Sequence, residues 1–150
     1  MVDGLADATR VVFDDERVVA NAGVMLPALL AGRLGLERLV DQAVDLGERP
    51  GAANAGRKVM SLVSAMTLGA DCIEDCDVLR AGRTGAVLGH RVAAPSTLGT
   101  FLRAFTFGHV RQLDRVLAES LRRAWAAGAG PGERRLIVDV GQLRRRGIRL

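Results

Sequence analysis

The sequence predicts a mainly α protein: a helical bundle with a helix-turn-helix-like part, a short N-terminal β-hairpin and one orphan C-terminal strand. Three observations lead there. Apolar residues recur at helical spacing in successive segments from about residue 24 to about residue 127, and clusters of Gly, Pro and Asn separate those segments. Only residues 136–140 (LIVDV) carry the largely apolar signal of a buried strand, and no second sheet-like segment stands ready to pair with them.

Each element has its own signal. Residues 10–21 (RVVFDDERVVAN) set β-branched side chains on both sides of an acidic turn, the pattern of a hairpin. Leu26, Leu29 and Leu30 then share one helical face with Pro27 in the first turn, and Gly35 separates them from a second stripe at Leu36, Leu39, Val40 and Ala43. Residues 47–56 (GERPGAANAG) form a loop, and the helix after it is expected to bury Val59, Leu62, Val63 and Met66. Residues 73–79 make a short fourth helix. Past the glycine-bounded stretch 82–89, Pro95 sets a turn and Ser96 is expected to cap a helix with Leu98, Phe101, Leu102 and Phe105 at i, i+3, i+4 and i+7. The last helix, about 109–127, turns Val110, Leu113, Leu117, Leu121 and Ala124 to one side and ends at the breaker GAGPG. The expected organisation is a disordered segment 1–9, a helical unit 10–132, a strand 133–140 and a basic tail 141–150. That tail (GQLRRRGIRL) has the Arg-rich, aperiodic character of GC-rich DNA read out of frame, so the chain is expected to be the front portion of a longer protein.

Composition sets the class. With 150 residues, 49% hydrophobic and 25% charged, the chain has a globular balance, and at 3% aromatic its core must come from Leu, Val, Ala and Met. No apolar run approaches the roughly 18 residues of a membrane span, and the acidic start MVDGLADATR is unlike a secretory signal, so a cytoplasmic protein is expected. Lys58 is the only lysine. Residues 1–79 hold 7 basic and 13 acidic side chains, whereas residues 80–150 hold 14 basic and 4 acidic ones. Such a split points to a polyanion meeting the C-terminal half.

The residues available for that contact are specific. Thr97, Thr100 and Arg103 stand opposite the apolar face of the helix begun at Ser96, and Arg111, Arg115 and Arg122 line one side of the next helix. A short helix, a turn and a polar-faced helix is how helix-turn-helix modules divide phosphate from base contacts. An amphipathic bundle with solvated arginines has the same periodicity. Cys72 and Cys76, with His90 and His109 as the only histidines, miss the paired spacing of a zinc site and fit two buried, reduced thiols. Asp14, Asp15 and Glu16 are adjacent carboxylates that point apart, and no phosphate-binding loop or hydrolase motif occurs.

The runs LGADCIEDCDVLRAG (68–82), LGHRVAAPSTLGTFLRAFTFGHVRQLDRV (88–116) and RRLIVDV (134–140) resemble the N-terminal region of bacterial insertion-sequence DDE transposases, most of all the group numbered thirteen-eighty. The likeness runs from about residue 11 to 140, and APSTLGTFLR is its most specific part. It implies a helical region that helps recognise terminal inverted repeats in DNA, ahead of an RNase H-like catalytic domain that uses Mg or Mn. The family's first catalytic strand resembles D-x-D-S-T, its metal ligand being the Asp before Ser-Thr. Asp139 matches only the earlier Asp, and Gly141, Gln142 and Leu143 stand where the ligand and Ser-Thr would be. The implied protein is a truncated transposase fragment that binds element-end DNA, holds no catalytic residue or metal, and is able to self-associate through strand 136–140. The alternatives are a stand-alone helix-turn-helix regulator and a non-functional pseudogene product.

Overall fold

The computed structural model describes residues 19–132 and residue 135, and these are mainly helical. A 3-10 turn at Ala22–Val24 leads into α1 (Met25–Leu34), α2 (Leu36–Ala43) and α3 (Ala55–Thr67). A 3-10 helix at Glu74–Arg80 follows, then α4 (Thr84–Leu88), α5 (Pro95–Arg103) and α6 (Phe107–Ala124), which runs into a π-helical turn at Trp125–Ala129. The short α4 lies inside the glycine-bounded stretch 82–89. No strand occurs among the described residues, and none of their helices is long and apolar enough to cross a membrane.

The hairpin expected over 10–21 reaches the described residues only at 19–21, where the chain is coil and turn. Asn21 accepts the Val24 amide at 3.1 Å and donates its side-chain amide to the Val78 carbonyl at 3.2 Å, so it serves helical neighbours instead of a strand ladder. Segment 1–9, strand 136–140 with Asp139, and tail 141–150 with Gly141 lie outside the described residues.

Gly35 separates α1 from α2 as expected, and for a physical reason: its φ of 68° is left-handed, a conformation that a Cβ disfavours by roughly 1–2 kcal/mol. α2 then packs on both α3 and α6. Two buried apolar clusters result. Leu39, Val40, Val44 and Leu46 gather with Ala55, Phe101 and Val116, while Val24, Ala65, Cys76, Leu79, Val92 and Leu98 form the other. α5 belongs to both, through Phe101 in one and Leu98 in the other, and both side chains are 0% exposed. Burial of each is worth about 1.5–3 kcal/mol, so α5 is fixed along its length.

Three helices bury a face other than the one expected. α3 turns Ser61, Ser64 and Ala65 inward and leaves Val63 and Met66 exposed, because small side chains let its backbone come against α2, where Gly56 donates its amide to Asp41 Oδ1 at 2.7 Å. On α1 the expected core residues are outside: Leu26 is 77% exposed and Leu29 and Leu30 are exposed too, while Ala31 faces in. α6 buries Val116 and half-buries Leu113, leaving Val110, Leu117 and Leu121 in solvent. Polar anchors set that rotation. Gln112 Oε1 accepts the Asp45 amide at 3.1 Å, and Arg123 Nη1 donates to the Leu34 carbonyl at 2.7 Å, so residues 112, 116 and 123 must share the inner side.

Candidate nucleic-acid interface

α5 begins two residues earlier than a cap at Ser96 would set it. Pro95 occupies the first helical position and Ala94 the cap, with no side-chain capping bond. Ser96 is therefore not the cap; it sits exposed in the first turn, its carbonyl accepting the Thr100 hydroxyl at 3.0 Å. With Leu98 and Phe101 fully inside, the opposite side carries Thr97 and Arg103, both exposed, and the half-buried Thr100. Arg103 Nη2 reaches Thr100 Oγ1 at 3.4 Å, and the pair lines a shallow hollow with Arg49 and Pro50. Arg49 is a cation that sequence reasoning missed. It donates to the Ala104 carbonyl at 2.8 Å across 55 residues of sequence, a separation no local pattern reveals.

Residues 104–106 connect α5 to α6, and edge-to-face rings brace that turn: Phe101 on Phe105 at 5.0 Å and Phe105 on His109 at 6.0 Å between centroids. Thr106 caps α6 in a capping box completed by His109, whose Nδ1 accepts the Thr106 amide at 2.9 Å. This starts the helix two residues ahead of expectation, and it gives His109 a structural task.

The three α6 arginines differ in how free they are. Arg115 is exposed and makes no ion pair among the described residues. Arg111 is exposed, 4.0 Å from Asp114 Oδ2 and 6.0 Å over the Phe107 ring. Arg122 is committed: Nε and Nη2 donate to the two oxygens of Glu119 at 2.7 and 2.8 Å, and Arg123 Nε adds a third bond at 2.9 Å. Hydrogen bonds from Arg122 and then Arg123 pull the Glu119 carboxyl down to about 2, and the same contact raises Arg122. An arginine so neutralised is a weaker phosphate ligand than sequence spacing implied.

The seven expected residues do not form a single patch. Thr100 and Arg103 share one hollow, Arg111, Arg115 and Arg122 stand along α6, and Thr97 lines a different hollow together with Arg57, Arg80 and Arg91.

The thiols are unlike each other. Cys76 is buried, and burial raises its pKa, as suits an inert core thiol. Cys72 is exposed, contrary to the expectation of two buried thiols, because it lies at the mouth of the 3-10 helix. Asp71, Cys72 and Asp75 bring ligand-type atoms within 4.8 Å of one another. Asp75 already accepts the amides of Asp71 and Cys72 at 3.2 and 3.4 Å, so its carboxylate is engaged by the backbone just before the 3-10 helix.

No family model, no curated protein and no solved structure matches this chain.

Proposed function

We propose that this chain is the DNA-binding part of an insertion-sequence transposase, acting in the cytoplasm on double-stranded DNA, with element ends as its preferred sites and no strand transfer of its own. One observation carries the reading. α5 is held from behind by Leu98 and Phe101 while Thr97, Thr100 and Arg103 point away from the core, and a braced three-residue turn joins it to the arginine-bearing α6. A helix so seated can present hydroxyl and guanidinium groups to a groove without paying again to order itself. Arg111 and Arg115 supply phosphate contacts, with Arg122 a lesser contributor because Glu119 holds it. The basic excess of residues 80–150 supplies the attraction.

The catalytic chemistry of the resembled family needs divalent cations held by carboxylates from separate segments. Gly141 offers no side-chain oxygen at the ligand position. Asp71, Cys72 and Asp75 do not fit such a metal either: they are two carboxylates and a thiol within one turn, with Asp75 engaged by backbone amides. No catalytic step is assigned to them.

Binding is tested by anisotropy with inverted-repeat and unrelated duplexes. Arg103→Ala should cost about 1–3 kcal/mol, chiefly on the inverted repeat, whereas Arg115→Ala should weaken both duplexes alike. Equal, negligible effects of both changes would remove the α5–α6 face from the reading. In the same tubes with magnesium or manganese the chain should neither nick nor join DNA, and Gly141→Asp should leave it inactive.

A further inference from the structure

The cations that sequence reasoning passed over converge where α3, the 3-10 helix Glu74–Arg80 and the start of α5 meet. Arg57, Arg80 and Arg91 line a hollow of about 370 Å³ together with Asn54, Ser61 and Thr97. A second hollow of about 770 Å³ adjoins it, shares Arg80 and Arg91, and adds Arg83. Among the described residues no carboxylate lines either one. The nearest acids hold the arginines by one nitrogen each: Arg57 Nε lies 3.3 Å from Glu37 Oε1, and Arg80 Nη1 lies 2.7 Å from Asp77 Oδ1. The remaining guanidinium N–H groups stay available, and Arg91 and Arg83 are exposed with no ion pair among the described residues. Glu37 and Asp77 offset part of the charge of the three guanidinium groups, and an anion seated among them would offset the rest through the N–H groups that these acids leave open.

Lys58 also lines the hollow, and its ammonium donates to the Gly51 and Ala53 carbonyls at 2.6 Å each, which ties down the loop that carries Asn54. The α5 terminus adds little by itself, since Pro95 has no N–H and the amides of Thr97 and Leu98 turn back to the Ala94 carbonyl at 2.9 and 3.0 Å. The arginines are the donors. Thr97 belongs both to this hollow and to the outward side of α5, so a ligand lying along Thr100 and Arg103 continues into it.

We propose that the hollow bounded by Arg57, Arg80 and Arg91 seats a backbone phosphate of the DNA strand that crosses α5, and so fixes the register of that helix on the duplex. This rests on the DNA-binding reading above, and it adds a contact from the acidic half of the chain. A phosphodiester and a free phosphate share the same oxygen chemistry, and the size and continuity of the hollows with α5 favour the diester.

The test uses the full chain and a duplex of random sequence, with anisotropy measured across a salt series. Arg57→Gln and Arg91→Gln should each lower the log–log salt slope by about 0.9, the loss of one phosphate contact, while Arg91→Lys should keep the slope. Arg33→Gln, an exposed change on α1, should leave it unaltered. Circular dichroism checks that each variant keeps its helices, and having two separate glutamine variants guards against a folding failure in one. A salt-dependent wild type whose slope neither glutamine variant changes overturns the seat and leaves DNA binding standing. A wild type with no salt-dependent affinity overturns both. If millimolar inorganic phosphate perturbs the Arg57 and Arg91 side-chain NMR signals while duplex DNA does not, the hollow serves a free phosphate and the proposal also fails.

Discussion

The ammonium of Lys58 lies 5.4 Å from the centroid of the Phe101 ring, so the chain's only lysine is set against the most deeply buried part of α5. Lys58 is itself buried, at 8% exposure, and burial lowers its pKa. Two carbonyls and an aromatic face offset that cost. The contact ties α3, the 51–54 loop and α5 together, and Gly51 completes it: at φ 84° its backbone lies so close that an added Cβ would stand 3.0 Å from the Phe101 amide nitrogen.

Lys58→Met keeps the apolar stem and removes the donors. It should destabilise the fold by about 1–3 kcal/mol, since the Gly51 and Ala53 carbonyls would lose the ammonium they share. Urea unfolding followed by circular dichroism measures this. An unchanged midpoint would mean that solvent replaces the ammonium without loss, and the loop would then be held by other contacts.

Gly56 marks the closest approach of α3 to α2. A Cβ there would press on the Glu37 carbonyl and stand 2.8 Å from Asp41 Oδ2, and both belong to the helix on which α3 packs. Gly56→Ala should lower stability by about 1–3 kcal/mol, whereas Gly23→Ala, with open space around it, should not show this overpacking loss. Thermal melts of the two variants side by side separate steric crowding from a general effect of replacing glycine.

Glu119 supplies a pH dependence with a definite sign. Its carboxyl falls from the ordinary 4.5 to about 2 in the fold, so its contribution is fully present above about 4.5 and is lost as pH drops toward 2. The pair is exposed, and solvent screening keeps the effect small. Denaturant midpoints taken through that window should fall less steeply for Glu119→Gln than for the parent chain. Identical curves would show that Arg122 and Arg123 do not hold the carboxylate in solution.

What could be read from the residues alone depended on whether the cause was local. The α1–Gly35–α2 corner is legible because a left-handed glycine between two apolar stripes has few other meanings. The α5 turn was placed correctly, but its cap was not, because Pro95 takes the first helical position ahead of Ser96. Burial of the α3 and α6 faces was misjudged for a different reason. Periodicity finds the most apolar side, while the fold turned α3 by close backbone packing at Gly56 and α6 by Gln112 and Arg123 reaching Asp45 and Leu34. The Glu119–Arg122 pair was open to sequence reasoning at i, i+3, and it alters the expected binding face. Arg57, Arg80 and Arg91 were not, since only the packing of α3 against the 3-10 helix and α5 brings them to one hollow.

The most direct test of DNA binding compares the full chain with one ending at Gly132, which keeps α1 to α6 and omits the six arginines beyond it, four of them in residues 141–150. Anisotropy with duplex DNA across a salt series should give a log–log slope of about −0.9 for each phosphate contacted, so a shortened chain using Arg111, Arg115 and the α5 face should retain a slope steeper than about −2. It should also still prefer inverted-repeat DNA. A shortened chain with no salt-dependent affinity at low ionic strength, while the full chain binds, would contradict the account and assign the binding to the residues beyond 132.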